Sequence, residues 1–294
     1  MAFWDIIRKY RLVPYIFLLP AVAILSISVF FPALQAFWLS LTRYDLISEP
    51  QLIGLQNFQR LWQDDIFWQT LRNTLLYLLT VVPCLTILPL GLAILVNRQL
   101  RGIHWFRTFF YTPVAISMVV AGIAWKALYA SNGVLNQSLQ QLGLETGIPW
   151  LTSPQFALWS VMVVTVWKGL GYYMVIYLAG LQAIPGELYE AATLDGSDGL
   201  RKHWDITIPL MRPYLVLVAV ISAISATKVF EEIYIMTQGG PLNSSKTVVY
   251  YLYEQAFTNL EIGYGCAIGL VLFLVIFILS LLNLYVSKYT INNA

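Results

Sequence analysis

Long apolar runs separated by shorter polar segments dominate this chain. A helix needs about 20 predominantly apolar residues to cross a bilayer. The runs that satisfy or approach this requirement predict six transmembrane helices, at 13–38, 73–96, 108–129, 156–180, 213–237 and 264–287. The first, second and sixth runs carry no charged residue, whereas the fifth carries three near its far end. The pattern therefore predicts an all-α integral membrane protein with a single transmembrane domain over residues 1–294.

Composition supports the bilayer as the solvent of this chain. Hydrophobic residues make up 59% of it and charged residues 11%, against about 25% charged in a soluble domain. The uncharged stretch from Leu12 to Thr42 far exceeds the roughly 7–15 apolar residues of a signal peptide, so we interpret it as an uncleaved anchor. The two cysteines, Cys84 and Cys266, lie in apolar runs, which favours small buried hydrophobes over a disulfide or metal site. The net charge of +2 gives no information about nucleic acid, and no nucleic-acid partner is expected of this membrane protein.

The short loops indicate the orientation of the chain. Most lysines and arginines outside the spans cluster on one side, near residues 8–11, 98–107 and 201–212. Basic residues accumulate on the cytoplasmic side of membrane proteins. Because the number of predicted spans is even, both termini are expected in the cytoplasm.

Prolines are frequent within the apolar runs. Proline removes a backbone donor and kinks a helix, and membrane proteins tolerate this where neighbouring groups satisfy the freed carbonyls. Each of these prolines predicts either a broken helix or a helix that is merely bent for packing. The prolines are Pro20, Pro32, Pro83, Pro89 and Pro113.

The cytoplasmic segment 182–213 is the most informative polar connection. Pro185 suits the first position of a helix, and Gly196 suits the left-handed conformation that ends one. The segment between them predicts a short extramembrane helix of about three turns. Spacings of three and four residues place one set of side chains on a common face, namely Leu188, Ala191, Ala192 and Asp195.

This predicted helix differs from one that lies on a membrane surface. A surface helix shows a bulky apolar face with Lys and Arg opposite. Here the helix offers alanines, with the carboxylates of Glu187 and Glu190 in its first turns. Small side chains allow close approach, so we expect it to dock into a protein cleft.

The same segment resembles the "EAA" loop of permeases in binding-protein-dependent ABC importers. The resemblance rests on Glu190-Ala191-Ala192, on Gly196 and on the run 206–209. Leu181 to Pro185 and Ile208 to Leu210 extend it towards the carbohydrate branch, which includes maltose, lactose and glycerol-phosphate systems. Other segments resemble the outer loops and last span of that branch, namely Gly54 to Phe58, Gly239 to Ser244 and Gly263 to Ala267. Ser197 departs from the usual alanine, but the two residues are close in size, so no loss of coupling is expected.

The resemblance implies a type I importer permease in the bacterial inner membrane, with a cytoplasmic coupling helix. Two ATPase subunits would bind ATP and Mg²⁺, since this chain contains no Gly-Lys dipeptide for a phosphate-binding loop. A second related permease, in a heterodimer, and an extracytoplasmic solute-binding protein complete the implied assembly, alongside membrane lipid. No cofactor would be bound by this chain, and alternating access would carry the solute inward. The resemblance assigns the coupling role to Glu190, Ala191, Ala192, Asp195 and Gly196.

Ionisable residues inside the spans are the first candidates for a solute pathway. Lys168 lies in an aromatic, glycine-rich segment that includes Tyr172, whereas Lys228, Glu231 and Glu232 lie near one end of the fifth span. An alternative for the latter group is a mutually paired cluster at the membrane surface, because Lys228 and Glu232 are four residues apart. The resemblance also implies pathway positions in the third, fourth and fifth spans. These positions are Met118, Lys168, Gly169, Ser222, Ala226 and Val229.

Other functions stay open at this point. A permease for a non-sugar polar solute is hard to separate from a sugar permease, because a few pocket residues decide the solute. A secondary transporter normally has more spans and buried proton-coupling groups. A membrane enzyme would need a catalytic or metal constellation, and the isolated His104 and His203 do not form one.

Overall fold

The computed structural model of this chain describes residues 13–98, 101–143 and 147–292. The predicted cytoplasmic N-terminal residues 1–12 lie outside this range. The described part is predominantly helical, with one small two-stranded sheet. The helices in its first half are α1 (Val13–Leu25), α2 (Phe31–Ser40), α3 (Gln56–Trp62), α4 (Asp65–Val96), α5 (Ile103–Ala115), α6 (Met118–Leu128) and α7 (Val134–Gln141). Those in its second half are α8 (Ala157–Gln182), α9 (Gly186–Leu194), α10 (Ile208–Leu210), α11 (Arg212–Thr227), α12 (Glu231–Met236), α13 (Val248–Tyr253) and α14 (Ile262–Asn292).

Three helical stretches are long and apolar enough to span a membrane by themselves. They are Pro14–Ser40, Asp65–Val96 and Ala157–Gln182. The first is continuous because a π-helical turn at Ser26–Phe30 joins α1 to α2. Two bent pairs of helices bring the number of candidate spans in the described residues to as many as five. In addition, α14 begins with the apolar segment Ile262–Ile278.

The two bent pairs fall within or beside the third and fifth predicted spans. Helices α5 and α6 meet at 100° across the break at Ile116 and Ser117. The pair formed by His203–Leu210 and α11 bends by 58°. A further interruption separates α11 from α12. The fifth predicted span therefore consists of two helices rather than one.

Not every proline breaks its helix. Pro83 and Pro89 both lie inside α4, which remains one helix of 32 residues. Pro20 is likewise inside α1. The sharp bend after α5 follows Pro113 by a few residues, where Ser117 caps α6 by accepting a hydrogen bond from the Val120 N–H at 3.3 Å. Cap chemistry as well as proline thus sets the position of the break.

The chain divides into two compact units, of which the larger comprises Asp64–Tyr251 and Leu274–Ala294. Its core forms mainly where α4 packs along α8. On α4, Tyr77, Val81 and Leu85 follow one another at helical spacing and are buried. On α8, Val161 and Met174 are fully buried against the same core.

The other unit comprises residues up to Gln63 together with Leu252–Phe273. Its sheet pairs β1 (Thr42–Arg43) antiparallel with β2 (Gln51–Leu52). The buried Asn57 amide holds the preceding chain by donating to the Ser40 and Thr42 carbonyls at 2.8 and 2.9 Å.

The same unit is also held by charge. Arg60 pairs with Glu261 at 2.8 Å and lies 4.1 Å from the centre of the Tyr264 ring. These contacts join the segment after β2 to the start of α14. Because both partners of the ion pair are substantially exposed, the pair orders the loop more than it stabilises the fold.

Candidate functional site

A cavity of about 550 Å³ lies within the larger unit, and we call it the central cavity. It borders both places where predicted spans are interrupted. Its lining combines aromatic rings, aliphatic side chains and four ionisable groups, from Leu85, Val114, Met118, Thr165, Lys168, Gly169, Tyr172, Tyr173, Ile221, Ser225, Lys228, Val229, Phe230, Glu231 and Glu232.

The first interruption supplies backbone acceptors to Lys168. Because α5 ends at Ala115, the carbonyls of the last turn lack their usual intrahelical donors. The Lys168 ammonium donates to the Ile116 carbonyl at 2.8 Å and to the Pro113 carbonyl at 3.4 Å. An ammonium group has three donors. The charge of Lys168 is thus stabilised by the helix break while its side chain still lines the cavity.

The second interruption places acidic groups on the same cavity. Helix α11 ends at Thr227, and α12 begins with Glu231 and Glu232. The buried Thr247 fixes the intervening segment by donating to the Val229 carbonyl at 3.1 Å. The break is therefore held by a side chain that is distant in sequence.

A polar chain connects the cavity wall to α4. The Tyr77 hydroxyl lies 2.5 Å from the Thr165 hydroxyl, and Thr165 Oγ1 lies 3.5 Å from Glu232 Oε1. Tyr77 is fully buried. Glu232 thus lies at the end of a short hydrogen-bonded path between three helices.

The structure brings together most, but not all, of the pathway candidates from the sequence. Ser222 and Ala226 are buried and do not line the central cavity, whereas Ser225 does. The Ser222 hydroxyl instead bonds to the Ala219 carbonyl at 3.2 Å. The candidates that do line the cavity are Met118, Lys168, Gly169, Tyr172, Lys228, Val229 and Glu232.

The alternative of a Lys228–Glu232 ion pair is wrong for the described structure. No such pair occurs among the described residues, where the ion pairs involve other side chains. The prediction assumed one continuous helix over 213–237. Because the helix stops before Lys228 and restarts at Glu231, the two side chains no longer occupy the i and i+4 positions of one helix.

Several cavity residues were missed by sequence reasoning. Thr165, Tyr173 and Phe230 line the central cavity although nothing in the sequence marked them individually. The signal available for Thr165 was a lone hydroxyl residue in an apolar run, which many membrane helices contain. Tyr173 was distinguished only as a neighbour of Tyr172.

The connection between α8 and α11 folds as a short helix near the predicted position. Helix α9 begins at Gly186, one residue later than expected, because Pro185 adopts an extended conformation and precedes the helix. Gly196 has a φ of +81°, the left-handed conformation that was predicted to end the helix. The following Ser197 N–H donates to the Ala192 carbonyl at 2.8 Å.

Ser197 also has a contact that its similarity in size to alanine did not predict. Its hydroxyl donates to the Asp205 carboxylate at 2.6 Å, and Arg201 lies 3.4 Å from the same carboxylate oxygen. Ser197 is buried. These bonds tie the end of α9 to the π-helical turn at His203–Thr207.

Many side chains of this connection are exposed to solvent. Glu190, Ala191 and Asp195 are exposed, and Ala192 is buried. Large apolar side chains beside the helix are also strongly exposed, with Leu194 at 90%, Leu200 at 82% and Trp204 at 70%. Several large apolar side chains exposed within a short segment are typical of an interaction surface.

Most of the chain is similar to one protein family. Residues 66–291 match the family described as the binding-protein-dependent transport system inner membrane component. The chain belongs to this family. Membership confirms the expectation of a permease subunit of an ABC importer, rather than an enzyme with its own ATPase.

Two relatives of this permease carry descriptive names. It is 33% identical to the lactose transport system permease protein of Rhizobium radiobacter, over 96% of each chain. It is also 33% identical to the arabinooligosaccharides transport system permease protein of Halalkalibacterium halodurans, over 95% of this chain and 89% of that one.

A solved structure shares the fold of the permease. The crystal structure of a bacterial alginate ABC transporter, in complex with a periplasmic protein bound to an alginate pentasaccharide, contains a chain with a TM-score of 0.85. The two chains are 25% identical, and the match covers 99% of this chain and 98% of the other. The fold is therefore that of a type I importer permease.

Proposed function

We propose that this permease moves a sugar or a sugar-derived solute from an extracytoplasmic binding protein into the cytoplasm by alternating access. The observation that carries the proposal is the central cavity at the junction of two interrupted spans. Transporters commonly build their solute sites from discontinuous helices near the middle of the membrane. In this chain, such a site contains Lys168, Glu232 and two tyrosines of α8, Tyr172 and Tyr173.

The chemistry of the cavity suits a polyhydroxylated solute. Pyranose and furanose rings have C–H faces that pack on aromatic rings and hydroxyl groups that need polar partners. Tyr172 and Tyr173 provide the aromatic surface, and Thr165 and Ser225 provide hydroxyl groups. Lys168 donates hydrogen bonds, whereas Glu232 accepts them. Relatives named for lactose and arabinooligosaccharides support the same solute class.

Helix α9 is proposed as the coupling helix that docks on a partner ATPase. Glu190 would pair with a basic residue of the ATPase, while Ala191, Asp195 and Gly196 would form the closely fitting surface. Ala192 is buried within this chain and would support that surface from beneath. The exposed Glu190 and Ala191 and the neighbouring exposed apolar side chains support this assignment. Removal of these apolar side chains from water would favour docking.

The proposed assembly contains two permeases and two ATPases that bind ATP and Mg²⁺. This chain would contribute six spans, with both termini in the cytoplasm, and would pair with a second, related permease. A binding protein would deliver the solute from outside; the alginate transporter, which has the same fold, was crystallised with its own pentasaccharide-bound periplasmic protein. The exposed apolar surface of the first span fits contact with lipid or with the second permease.

The first experiment is purification of this chain from its native membrane, followed by ATPase assays of the complex. We expect an ATPase and a second permease to co-purify. Hydrolysis should increase when the binding protein is added with its sugar. If the chain purifies without an ATPase, the coupling proposal fails. If amino acids or ions stimulate hydrolysis while lactose, trehalose and arabinotriose do not, the sugar assignment fails.

A further inference from the structure

A second cavity, of about 800 Å³, lies beside the connection between α6 and α8, and we call it the outer cavity. The predicted orientation places this connection outside the cell. Its volume is within the range of about 300–1,000 Å³ that is usual for small-molecule sites. The cavity is lined by Lys126, Tyr129, Ala130, Ser131, Asn136, Gln140, Gly147, Ile148, Pro149, Trp150, Leu151, Thr152, Met236, Thr237, Gly240 and Pro241.

The floor of the outer cavity is fixed by Asn136, which is only 1% exposed. Its amide nitrogen donates to the Ala130 carbonyl at 3.2 Å and to the Ile148 carbonyl at 3.1 Å. Its amide oxygen accepts from the Ile148 N–H at 3.0 Å and from the Trp150 indole N–H at 3.1 Å. One side chain thus joins the residues that follow α6 to the segment at Ile148 and Trp150 that precedes α8.

Two aromatic rings, of Tyr129 and Trp150, also line the outer cavity. The Tyr129 and Trp150 rings lie 5.4 Å apart, centre to centre. The Tyr129 hydroxyl donates to the Ser160 carbonyl at 3.2 Å, and the Ser160 hydroxyl donates to the Trp150 carbonyl at 2.9 Å. Because the indole N–H and the phenol O–H are both engaged within the protein, these residues contribute carbon surface to the cavity.

Polar side chains without an internal role complete the lining. Ser131, Gln140 and Thr152 are exposed, and their side chains make no hydrogen bond to the part of the chain that the structure describes. Among the described residues, Lys126 is the charged residue in the lining, and no carboxylate from the described segments contributes to it. Aromatic surface combined with amide and hydroxyl groups fits the alternating apolar and polar faces of a neutral saccharide.

One short helix connects the outer cavity to the central one. Glu231 and Glu232, at the start of α12, line the central cavity, whereas Met236, at its end, lines the outer cavity. Six helical residues extend about 9 Å. A solute in the outer cavity would therefore be about one or two sugar units from the central cavity.

We propose that the outer cavity is a carbohydrate subsite that receives a saccharide before it enters the central cavity. The inference rests on the proposed sugar-import function and adds a site to it. Gln140 and Thr152 hydrogen-bond the solute hydroxyls, and the Tyr129 and Trp150 rings pack against its C–H faces. The floor built around Asn136 keeps these groups in position.

The test measures, by equilibrium dialysis, the binding of radiolabelled lactose, trehalose and arabinotriose to the complete complex in nanodiscs. Neither binding protein nor ATP is present. We expect at least one saccharide to bind, and Gln140→Ala and Thr152→Ala each to weaken binding by about 2- to 10-fold, the usual value of one hydrogen bond. Gln141→Ala is the matched control, because Gln141 is an exposed neighbour on the same helix that does not line the cavity. It should bind like the unaltered complex.

Three results would overturn the subsite. They are no binding of any of the three saccharides, equal binding by the Gln140→Ala and Gln141→Ala complexes, and, in a parallel ATPase assay of the Gln140→Ala complex with the binding protein, loss of stimulation while saccharide binding is unchanged. The last result would make the cavity a docking surface for that protein. Failure of the coupling proposal would be seen separately, as absence of the ATPase from the purified complex.

Discussion

The Tyr189 hydroxyl on α9 lies 3.0 Å from the hydroxyl of Thr207, which is fully buried at the approach to α11. His203 Nδ1 lies 3.0 Å from the same Thr207 oxygen. These contacts join the proposed coupling helix to the segment that leads directly into α11. If an ATPase displaced α9, this contact would transmit the displacement to α11.

Removal of the Tyr189–Thr207 contact should weaken coupling without removing a large side chain. Tyr189→Phe should reduce import per ATP hydrolysed by about 2- to 10-fold, as expected for loss of one hydrogen bond. Thr207→Val also removes the contact with His203, so it should reduce this ratio by at least as much. The double variant should be no worse than the poorer single variant. Reconstituted vesicles with parallel import and ATPase assays measure both quantities.

Thr193 provides the control for this pair. It lies on the same helix, and its hydroxyl bonds back to the Tyr189 carbonyl at 2.9 Å. Thr193→Val should leave the ratio of import to hydrolysis unchanged. Additive losses in the double variant would show that the two hydroxyls act independently, against the proposed path.

Gly196 should be needed for coupling more than for folding. At its φ of +81° a side chain costs about 1–2 kcal/mol, yet a Cβ there would meet no atom within 4 Å. Gly196→Leu should therefore still assemble into the membrane while ATP hydrolysis becomes uncoupled from import, because a bulky side chain would block the close fit to the ATPase. The measurement compares import, ATPase activity and thermal stability.

Gly199 allows backbone strain to be separated from lost contact. It also has a positive φ, of +60°, and open space around a hypothetical Cβ. Gly199→Leu should produce similar strain but retain more coupling. Normal import by Gly196→Leu would refute the proposed role of Gly196.

Lys168 should be required both for the helix break and for import. Lys168→Met leaves the Ile116 and Pro113 carbonyls without this donor, at a cost of about 1–3 kcal/mol for a buried unpaired group. We expect import to be nearly lost and the melting temperature to fall. Lys168→Gln retains a donor without the charge, so it should recover more stability than import. Import by the Lys168→Gln complex equal to that of the unaltered complex would mean that the charge of Lys168 has no part in transport.

Gly171 should tolerate no side chain, unlike its neighbour Gly169. A Cβ on Gly171 would clash with the Phe110 carbonyl oxygen, which is backbone of α5. A Cβ on Gly169 would meet the Leu85 Cδ2 at 2.7 Å, at the end of a flexible side chain. Gly171→Ala should be destabilised by about 1–3 kcal/mol or more through overpacking, and Gly169→Ala by less. Thermal unfolding of the purified complexes gives this order, and a reversed order would mean that the contact between α5 and α8 does not form as described.

The properties of single residues were sufficient to predict much of the connection that contains α9. Pro185 and Gly196 predicted the limits of α9 to within a residue, because a fixed φ and a left-handed φ are properties of single residues. By contrast, the bond from Ser197 to Asp205 depends on a fold of the chain over eight residues. The similarity in size between serine and alanine therefore did not predict the hydrogen bond that Ser197 makes.

The apolar runs were also readable from the sequence, but the continuity of the helices within them was not. Pro83 and Pro89 leave α4 intact, whereas the chain turns by 100° a few residues after Pro113. Proline requires only that neighbouring groups satisfy the freed carbonyls. Which groups do so depends on packing, and here Lys168, from a different helix, bonds to the Ile116 carbonyl.

Hydropathy, turn residues and motif spacing are local properties of the chain, so they predicted the membrane class, the family and the position of the short helix α9. Which pathway candidates meet depended on the packing of the helices. It separated Lys228 from Glu232 by a helix break, and it brought Ser225 rather than Ser222 to the central cavity. The physical reason is that a cavity forms between helices, and the rotation and interruption of each helix depend on contacts with residues far away in the chain.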